Sequence, residues 1–330
     1  MSKTWRDVPL SSWLLATRPK TLVAGAVPVA LGTAAAFAAA PPGARFWLAP
    51  FCLFCSLLIQ VGTNLFNDVY DFERGADTGA RLGPVRVTQA GLIAPGVVKA
   101  AAIACFVLAA ASGLVVVANA GWGLLLLGAV CLFCGWLYTG GPFPLAYHGL
   151  GEVFVFVFFG LVATAGTAYA IVAPVDAVHA INVVDVVASL GGAAGGSAFN
   201  DALADALIAG AGAGGLASCL ILVNNLRDID GDRVAGKRTV CVRFGAGFGH
   251  AAYVGGVLIA FVAVGALAAR HNSFAPFLGL TGCIMGLRTA LAVRTTTGAA
   301  LNPLLGATAR SLALFGLGTS LGLALMEVIR

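Results

Sequence analysis

Charge is scarce in this chain: 330 residues carry 14 Asp and Glu and 19 Lys and Arg, 10% in all. About a quarter of the residues in a soluble globular domain are charged, so that class is excluded. Histidine is rarer still, with four residues, and none stands near a cysteine pair at zinc-site spacing. Cys52-x-x-Cys55 and Cys131-x-x-Cys134 are embedded in apolar runs and are expected to pack in the core rather than to bind metal or react. The first twenty residues hold charges and Pro19, with no apolar core ending at a cleavage site, so no signal peptide is expected. No nucleic-acid partner is expected either. Residues 1–20 read as a cytoplasmic N-terminal segment, with Trp5 and Trp13 at the membrane interface.

What the chain has in abundance is hydrocarbon: 59% of residues are hydrophobic and the mean hydropathy is +0.95. This is the composition of an integral membrane protein, whose solvent is the lipid bilayer. Apolar stretches long enough to span, about 17 to 25 residues, fall at 21–40, 46–66, 97–118, 121–138, 153–173, 205–226, 249–268, 274–293 and 304–328. With nine spans and the N-terminus inside, 16 of the 19 basic residues lie on one side, as cytoplasmic loops require. The expected fold is therefore an all-α polytopic transmembrane bundle that opens its active site to the cytoplasm. The Asn/Asp pairs described below recur four spans apart, which suggests two related four-helix units followed by a ninth helix.

Residues 21–330 are expected to form one domain, interrupted by a low-complexity loop insert at about 174–204. The acids of that region, Asp176, Asp185, Asp201 and Asp205, read as solvated loop residues. Gly210, Gly212, Gly214 and Gly215 favour close helix packing rather than a phosphate loop. The oligomeric state stays open.

Half of the scarce acids are concentrated. Asn67-Asp68-Val69-Tyr70-Asp71 runs on to Glu73 and Asp77 at the exit of the second span, and Asn224-Asn225 runs on to Asp228, Asp230 and Asp232 at the exit of the sixth. A carboxylate within hydrocarbon costs roughly 2.5 to 3.5 kcal/mol at a helix centre, and crowded carboxylates repel. A divalent cation answers both problems, and oxygen ligands without His or Cys point to Mg²⁺. The flanking Arg81, Arg86, Arg233, Lys237 and Arg238 can neutralise a departing diphosphate, while apolar spans accommodate an isoprenoid tail. Lys237 and Arg238 also read as ordinary cytoplasmic-side charges, and Tyr138 as an interfacial anchor. Glu152 reads as a favourable charge at a helix N-terminus, and His148 as a structural residue.

Asn67-Asp68-x-x-Asp71 with Gly75-x-Asp77, and Asp228-Ile229-Asp230-Gly231-Asp232 before Gly236-Lys237-Arg238-Thr239, resemble the two Asp-rich motifs of the UbiA superfamily of intramembrane prenyltransferases. The segments Thr17-Arg18-Pro19-Lys20-Thr21, Gly83-Pro84-Val85-Arg86, Tyr138-Thr139-Gly140-Gly141-Pro142, Gly149-Leu150-Gly151-Glu152 and Leu301-Asn302-Pro303 are similar to its 1,4-dihydroxy-2-naphthoate branch, which serves menaquinone synthesis. The resemblance implies Mg²⁺ held by Asp68, Asp71 and Asp77 on one side and by Asp228 and Asp232 on the other. It implies a diphosphate supported by Asn67, Asn224 or Asn225, Arg81, Lys237 and Arg238. Arg18, Lys20 or Arg86 would hold the aromatic acid, and Tyr138 would face the allylic cation or the diphosphate. Asp71, Asp228 and Tyr138 are thereby the expected catalytic residues. The implied reaction ionises a polyprenyl diphosphate, and the naphthoate ring carbon attacks with loss of CO₂. Two other readings stand beside it: prenylation of another acceptor such as 4-hydroxybenzoate or homogentisate, and a cation-coupled transporter with acidic sites.

Overall fold

A computed structural model describes residues 8–39, 41–76, 82–173 and 197–329, and among these the regular structure is entirely helical. Asp77, Arg81, the insert up to 196 and the first seven residues, Trp5 included, lie outside the described residues.

The chain opens with α1 (Leu10–Thr17) and turns at Arg18, whose φ of 53° is in the left-handed region. A residue with a Cβ is costly there, so the turn needs external support. Asn64 provides it, its Nδ2 donating to the Thr17 carbonyl at 3.1 Å and to Thr21 Oγ1 at 3.3 Å. A single 3₁₀ turn (Pro19–Thr21) leads into α2 (Val23–Ala39), bent by 52° from the segment before it. Next come α3 (Ala49–Glu73) and α4 (Pro95–Ala120), both with a proline in the first turn, where a missing N–H costs nothing. The short α5 (Gly123–Leu137) has no fully buried residue. Helix α6 (Gly151–Val172) widens into a π-helical turn over Phe156–Val162.

The second half contains α7 (Ser197–Arg227), the one-turn α8 (Ile229–Val234), α9 (Val240–His271), α10 (Leu280–Thr295) and α11 (Asn302–Ile329). Thr239 caps α9 by accepting from the Val242 N–H, and Gly245, with φ 82° and ψ 170°, breaks that helix near its start. The described residues of the nine expected apolar stretches are mostly helical. By length and composition, however, seven helices among the described residues are suited to cross a membrane, and the bent pair before Ala39 would make an eighth. The stretch expected at 121–138 forms only the 15-residue α5.

Helix α7 is the centre of the bundle, and most of its apolar length is buried. Lipid tails give helices no hydrophobic reason to associate, so contact depends on close packing of small residues. Gly215 and Gly256 show this: a Cβ on Gly215 would lie 2.4 Å from the Gly256 carbonyl oxygen, bringing α7 and α9 backbone to backbone. Gly210 meets Gly160 of α6 in the same way, at 2.7 Å. The expectation that these glycines serve packing holds.

The expected loop insert is corrected at its C-terminal end, because α7 begins at Ser197 rather than near residue 205. Asp201 and Asp205 are therefore helical, and Asp205 is 1% exposed rather than solvated. Its carboxylate accepts from Arg270 Nε at 3.0 Å and pairs with His271 Nε2 at 2.8 Å, and Arg270 also reaches Asp201. Both partners end α9, so a buried charge is matched across two helices.

Candidate active site

Asn67 and Asp71 are four residues apart and share one face of α3, whereas Asp68 lies about 100° round the helix. The structure puts that difference to use. Asn67 and Asp71 line a cavity of about 700 Å³, and Asp68 is turned away from it. Both Asp68 oxygens are taken by the loop before α4: Oδ1 accepts from the Thr88 N–H at 2.9 Å and Oδ2 from the Val87 N–H at 3.2 Å. Val87 and Ile93 plug that loop into the apolar cluster of α3 and α4. Asp68, expected as a metal ligand, is thus placed as the anchor of the loop that delivers Arg86.

Asp71 is the hub of the site, with its side chain 1% exposed. Its Oδ1 accepts from the Tyr147 hydroxyl at 2.8 Å, and its Oδ2 from Lys237 Nζ at 2.9 Å and Arg86 Nη2 at 3.2 Å. Arg86 Nη2 also lies 3.2 Å from Asn67 Oδ1. Burial, and then the Asp71 carboxylate, push the Tyr147 phenol well above its ordinary pKa, so it stays a proton donor. The Lys237 ammonium stands 4.8 Å from the Tyr147 ring centroid, and Arg74 lies 5.2 Å from it on the outer side.

The end of α7 supplies the second half. Asn224, Asn225, Asp228 and Asp232 line the same cavity. Arg227 grips Asp228 with two bonds, Nε to Oδ1 at 2.9 Å and Nη2 to Oδ2 at 2.6 Å, and its Nη1 donates to Asn302 Oδ1 at 2.9 Å. Asn302 in turn donates to the Leu82 carbonyl at 2.8 Å, tying α11 and the Arg86 loop to the end of α7. Asn225 Nδ2 donates to Glu152 Oε1 at 2.6 Å, so Glu152 orients an amide on the cavity wall in addition to opening α6. Asp230 points to solvent and pairs with Arg233.

The cavity is charged at its mouth and apolar along its length. Arg18, Lys20, Arg86 and Lys237 reach its wall, Arg86 and Lys237 on Asp71 itself, and Tyr138 lines it from the end of α5. Deeper, α3 lines it as far as Cys52, nineteen positions before Asp71, which is about 28 Å of helix. Leu132, Phe158 and Val162 are among the facing residues. Cys52, Cys55, Cys131 and Cys134 belong to this wall, which corrects their expected place in the core; the eight cysteines are all free. Arg238 is exposed and outside the cavity, and its backbone N–H donates to the Tyr147 carbonyl at 2.8 Å. His148 takes the structural role expected of it, stacked on Phe143 with centroids 3.6 Å apart.

The donor set bears on a metal. Among the described residues no three His, Cys, Asp or Glu side chains gather closely enough to hold an ion alone. Asp71 with Asn67, and Asp228 with Asp232 and Asn224, instead give two small groups of oxygen donors around one mouth. That fits Mg²⁺, which binds through one or two carboxylates and leaves positions for water and phosphate oxygens. Tyr147, Arg227 and Asn302 were not singled out as site residues from sequence. Only the Leu301-Asn302-Pro303 motif pointed to one of them: Tyr147 meets Asp71 from 76 positions away and Arg227 meets Asn302 from 75, while the bond from Arg227 to its neighbour Asp228 has no sequence signature.

The UbiA prenyltransferase family model matches residues 26–305. A 1,4-dihydroxy-2-naphthoate octaprenyltransferase of Mycobacterium tuberculosis is 36% identical over 86% of this chain and 84% of its own length. A 2-carboxy-1,4-naphthoquinone phytyltransferase of Synechocystis is 30% identical over 48% of this chain and 50% of its own. The structure of a UbiA homologue from Archaeoglobus fulgidus bound to DMAPP and Mg²⁺ superposes with a TM-score of 0.54 at 16% identity, covering 94% of this chain and 99% of that one.

Proposed function

Because this chain belongs to the UbiA prenyltransferase family, we propose that it transfers a polyprenyl group from its diphosphate to 1,4-dihydroxy-2-naphthoate, with loss of the ring carboxylate as CO₂. The observation that carries this reading is the convergence of Asp71 and Asp228, from the ends of two helices, on one mouth that leads into a long apolar cavity. A metal-diphosphate headgroup belongs at such a mouth and an isoprenoid tail in such a cavity. Relatives named as octaprenyltransferases of this naphthoate cover most of the chain and support the acceptor.

Asp71 with Asn67, and Asp228 with Asp232 and Asn224, would hold Mg²⁺. When bound, Mg²⁺ supplies charge neutralisation for the leaving diphosphate. The remaining work belongs to side chains. Lys237 and Arg86, held on Asp71, are placed to exchange that carboxylate for phosphate oxygens as the allylic C–O bond breaks. Tyr147 keeps its proton and fixes the Asp71 carboxylate plane through one oxygen. Arg18 and Lys20 hold the acceptor carboxylate at the bend between α1 and α2, and the Tyr138 ring shields the allylic cation from water. Arg81 and Asp77 remain candidate contributors from the segment between Ala76 and Leu82. The mouth faces the cytoplasm, a reading supported by the 16 of 19 basic residues that a nine-span topology puts on that side.

The test is an assay of the purified protein with Mg²⁺, a labelled polyprenyl diphosphate and three acceptors in parallel: 1,4-dihydroxy-2-naphthoate, 4-hydroxybenzoate and homogentisate. A decarboxylated prenyl-naphthoquinone that disappears with chelator is expected. Product from another acceptor alone, or product formed without a divalent ion, would overturn the proposal.

A further inference from the structure

The cavity wall contains a polar residue that neither a metal-diphosphate nor an isoprenoid tail has a use for. Gln60 lies on the same stripe of α3 as Asn64, Asn67 and Asp71, four, seven and eleven positions on. It lines the cavity and is only 8% exposed. Among the described residues its amide makes no hydrogen bond, although its neighbours on the stripe are engaged. One turn away on one side, Ser56 Oγ donates to the Gly25 carbonyl at 2.9 Å. One turn away on the other, Asn64 holds the bend at Thr17 and Thr21. An amide on the wall of a substrate cavity, accessible from it and bonded to no described residue, is free to take a partner delivered by substrate.

Position narrows the choice of substrate. Gln60 is one helical turn, about 6 Å, deeper than Asn64, which supports the bend carrying Arg18 and Lys20. It is about 16 Å along α3 from Asp71, which leaves room for a diphosphate and one ring system between them. The tail is pure hydrocarbon and offers an amide nothing. A hydroxylated aromatic acid does offer something: with its carboxylate at the cationic bend, its far hydroxyl points down the stripe. We propose that Gln60 is a specificity-determining residue that hydrogen-bonds the ring hydroxyl of the acceptor remote from its carboxylate. This rests on the acceptor class proposed above. An amide can both donate to and accept from such a hydroxyl, and a site built for that bond rejects analogues lacking it.

The test measures binding rather than turnover, because removing a ring hydroxyl also weakens the nucleophile. The full-length protein in detergent is titrated, without prenyl donor, with 1,4-dihydroxy-2-naphthoate and with 1-hydroxy-2-naphthoate, which lacks the remote hydroxyl. The wild type is expected to favour the dihydroxy acid. Gln60→Met keeps the length of the side chain and removes its hydrogen bonding. It is expected to weaken binding of the dihydroxy acid by about 10- to 100-fold and to erase the preference between the two. Gln60→Leu, with a different shape, is expected to do the same, while KM for the polyprenyl diphosphate stays near the wild-type value in both. An unchanged preference in either folded variant, or an effect falling on the diphosphate instead, overturns the role of Gln60. Wild-type protein that binds neither acid overturns the acceptor class as well.

Discussion

Lys237 and Asp71 are 166 positions apart in sequence and meet at 2.9 Å at the mouth of the cavity. The contact joins the segment after α8 to the end of α3, so the first acidic motif is completed by a cation from the other half of the chain. It also holds a carboxylate and an ammonium together at a place where both are needed for a diphosphate.

Asp71→Asn keeps the shape of the side chain and one acceptor oxygen, enough for the Tyr147 hydroxyl, while its amide N–H₂ can no longer accept from Lys237 or Arg86. It should reduce prenyl transfer by at least about 100-fold, the loss typical of removing one electrostatic contact to a transition state. The check is turnover at saturating Mg²⁺ alongside size-exclusion behaviour in detergent. Wild-type turnover would remove Asp71 from the chemistry.

Asp68→Ala should act on stability first. It leaves the Val87 and Thr88 N–H groups without acceptors, at about 1–3 kcal/mol each, and releases the loop that carries Arg86. Asp68→Asn retains one acceptor oxygen and should cost less. Thermal unfolding of the two variants in the same detergent measures the order, and equal stability of both with the wild type would contradict the anchoring role.

Asp205→Ala removes the shared partner of Arg270 and His271 and leaves the guanidinium and the imidazole facing a buried position without their acceptor. Breaking a buried pair in this way costs about 3 to 5 kcal/mol. The acidic helix ends are untouched, so turnover per folded molecule should remain near wild type while the unfolding temperature drops. A variant that is fully stable but inactive would place this cluster in the reaction instead.

Tyr147 titrates above an ordinary tyrosine because it is buried beside Asp71. A group with a raised folded pKa contributes its full stabilisation below the unfolded value, about 10 for tyrosine, and loses it as pH rises towards the folded value. The bond to Asp71 should therefore be constant between neutral pH and about 9. Ultraviolet difference titration of the wild type against Tyr147→Phe checks this, and loss of a tyrosinate signal below pH 9 in the variant would contradict it.

The two acidic helix ends were legible in the sequence because hydrocarbon makes charge conspicuous, and Asn67/Asp71 and Asn224/Asp228 stand at helical spacing. What spacing could not reveal was which carboxylates face inward. Asp68 is adjacent in sequence to a site residue, yet its direction is decided by a loop docking from residues 86–93. The pairing of Asp205 with Arg270 and His271 was equally hidden. A lone acid beside a glycine-rich run has the composition of a loop, and the partners that make it a helix lie 65 and 66 positions away. Gln60 was invisible for a different reason: a single amide in an apolar run gains meaning only when it proves to line the cavity and to bond to none of the described residues.

The brevity of α5 has a consequence for the lipid around it. Its 15 residues rise about 22 Å, against about 30 Å for the hydrocarbon layer. A hydrophobic segment that is too short thins the adjacent bilayer or draws flanking residues toward the interface. The flank in question forms one wall of the apolar cavity. Were α5 to cross the bilayer, as the sequence predicts, the acyl-chain length of the host membrane would enter the energetics of this enzyme on the side where its hydrocarbon cavity is formed.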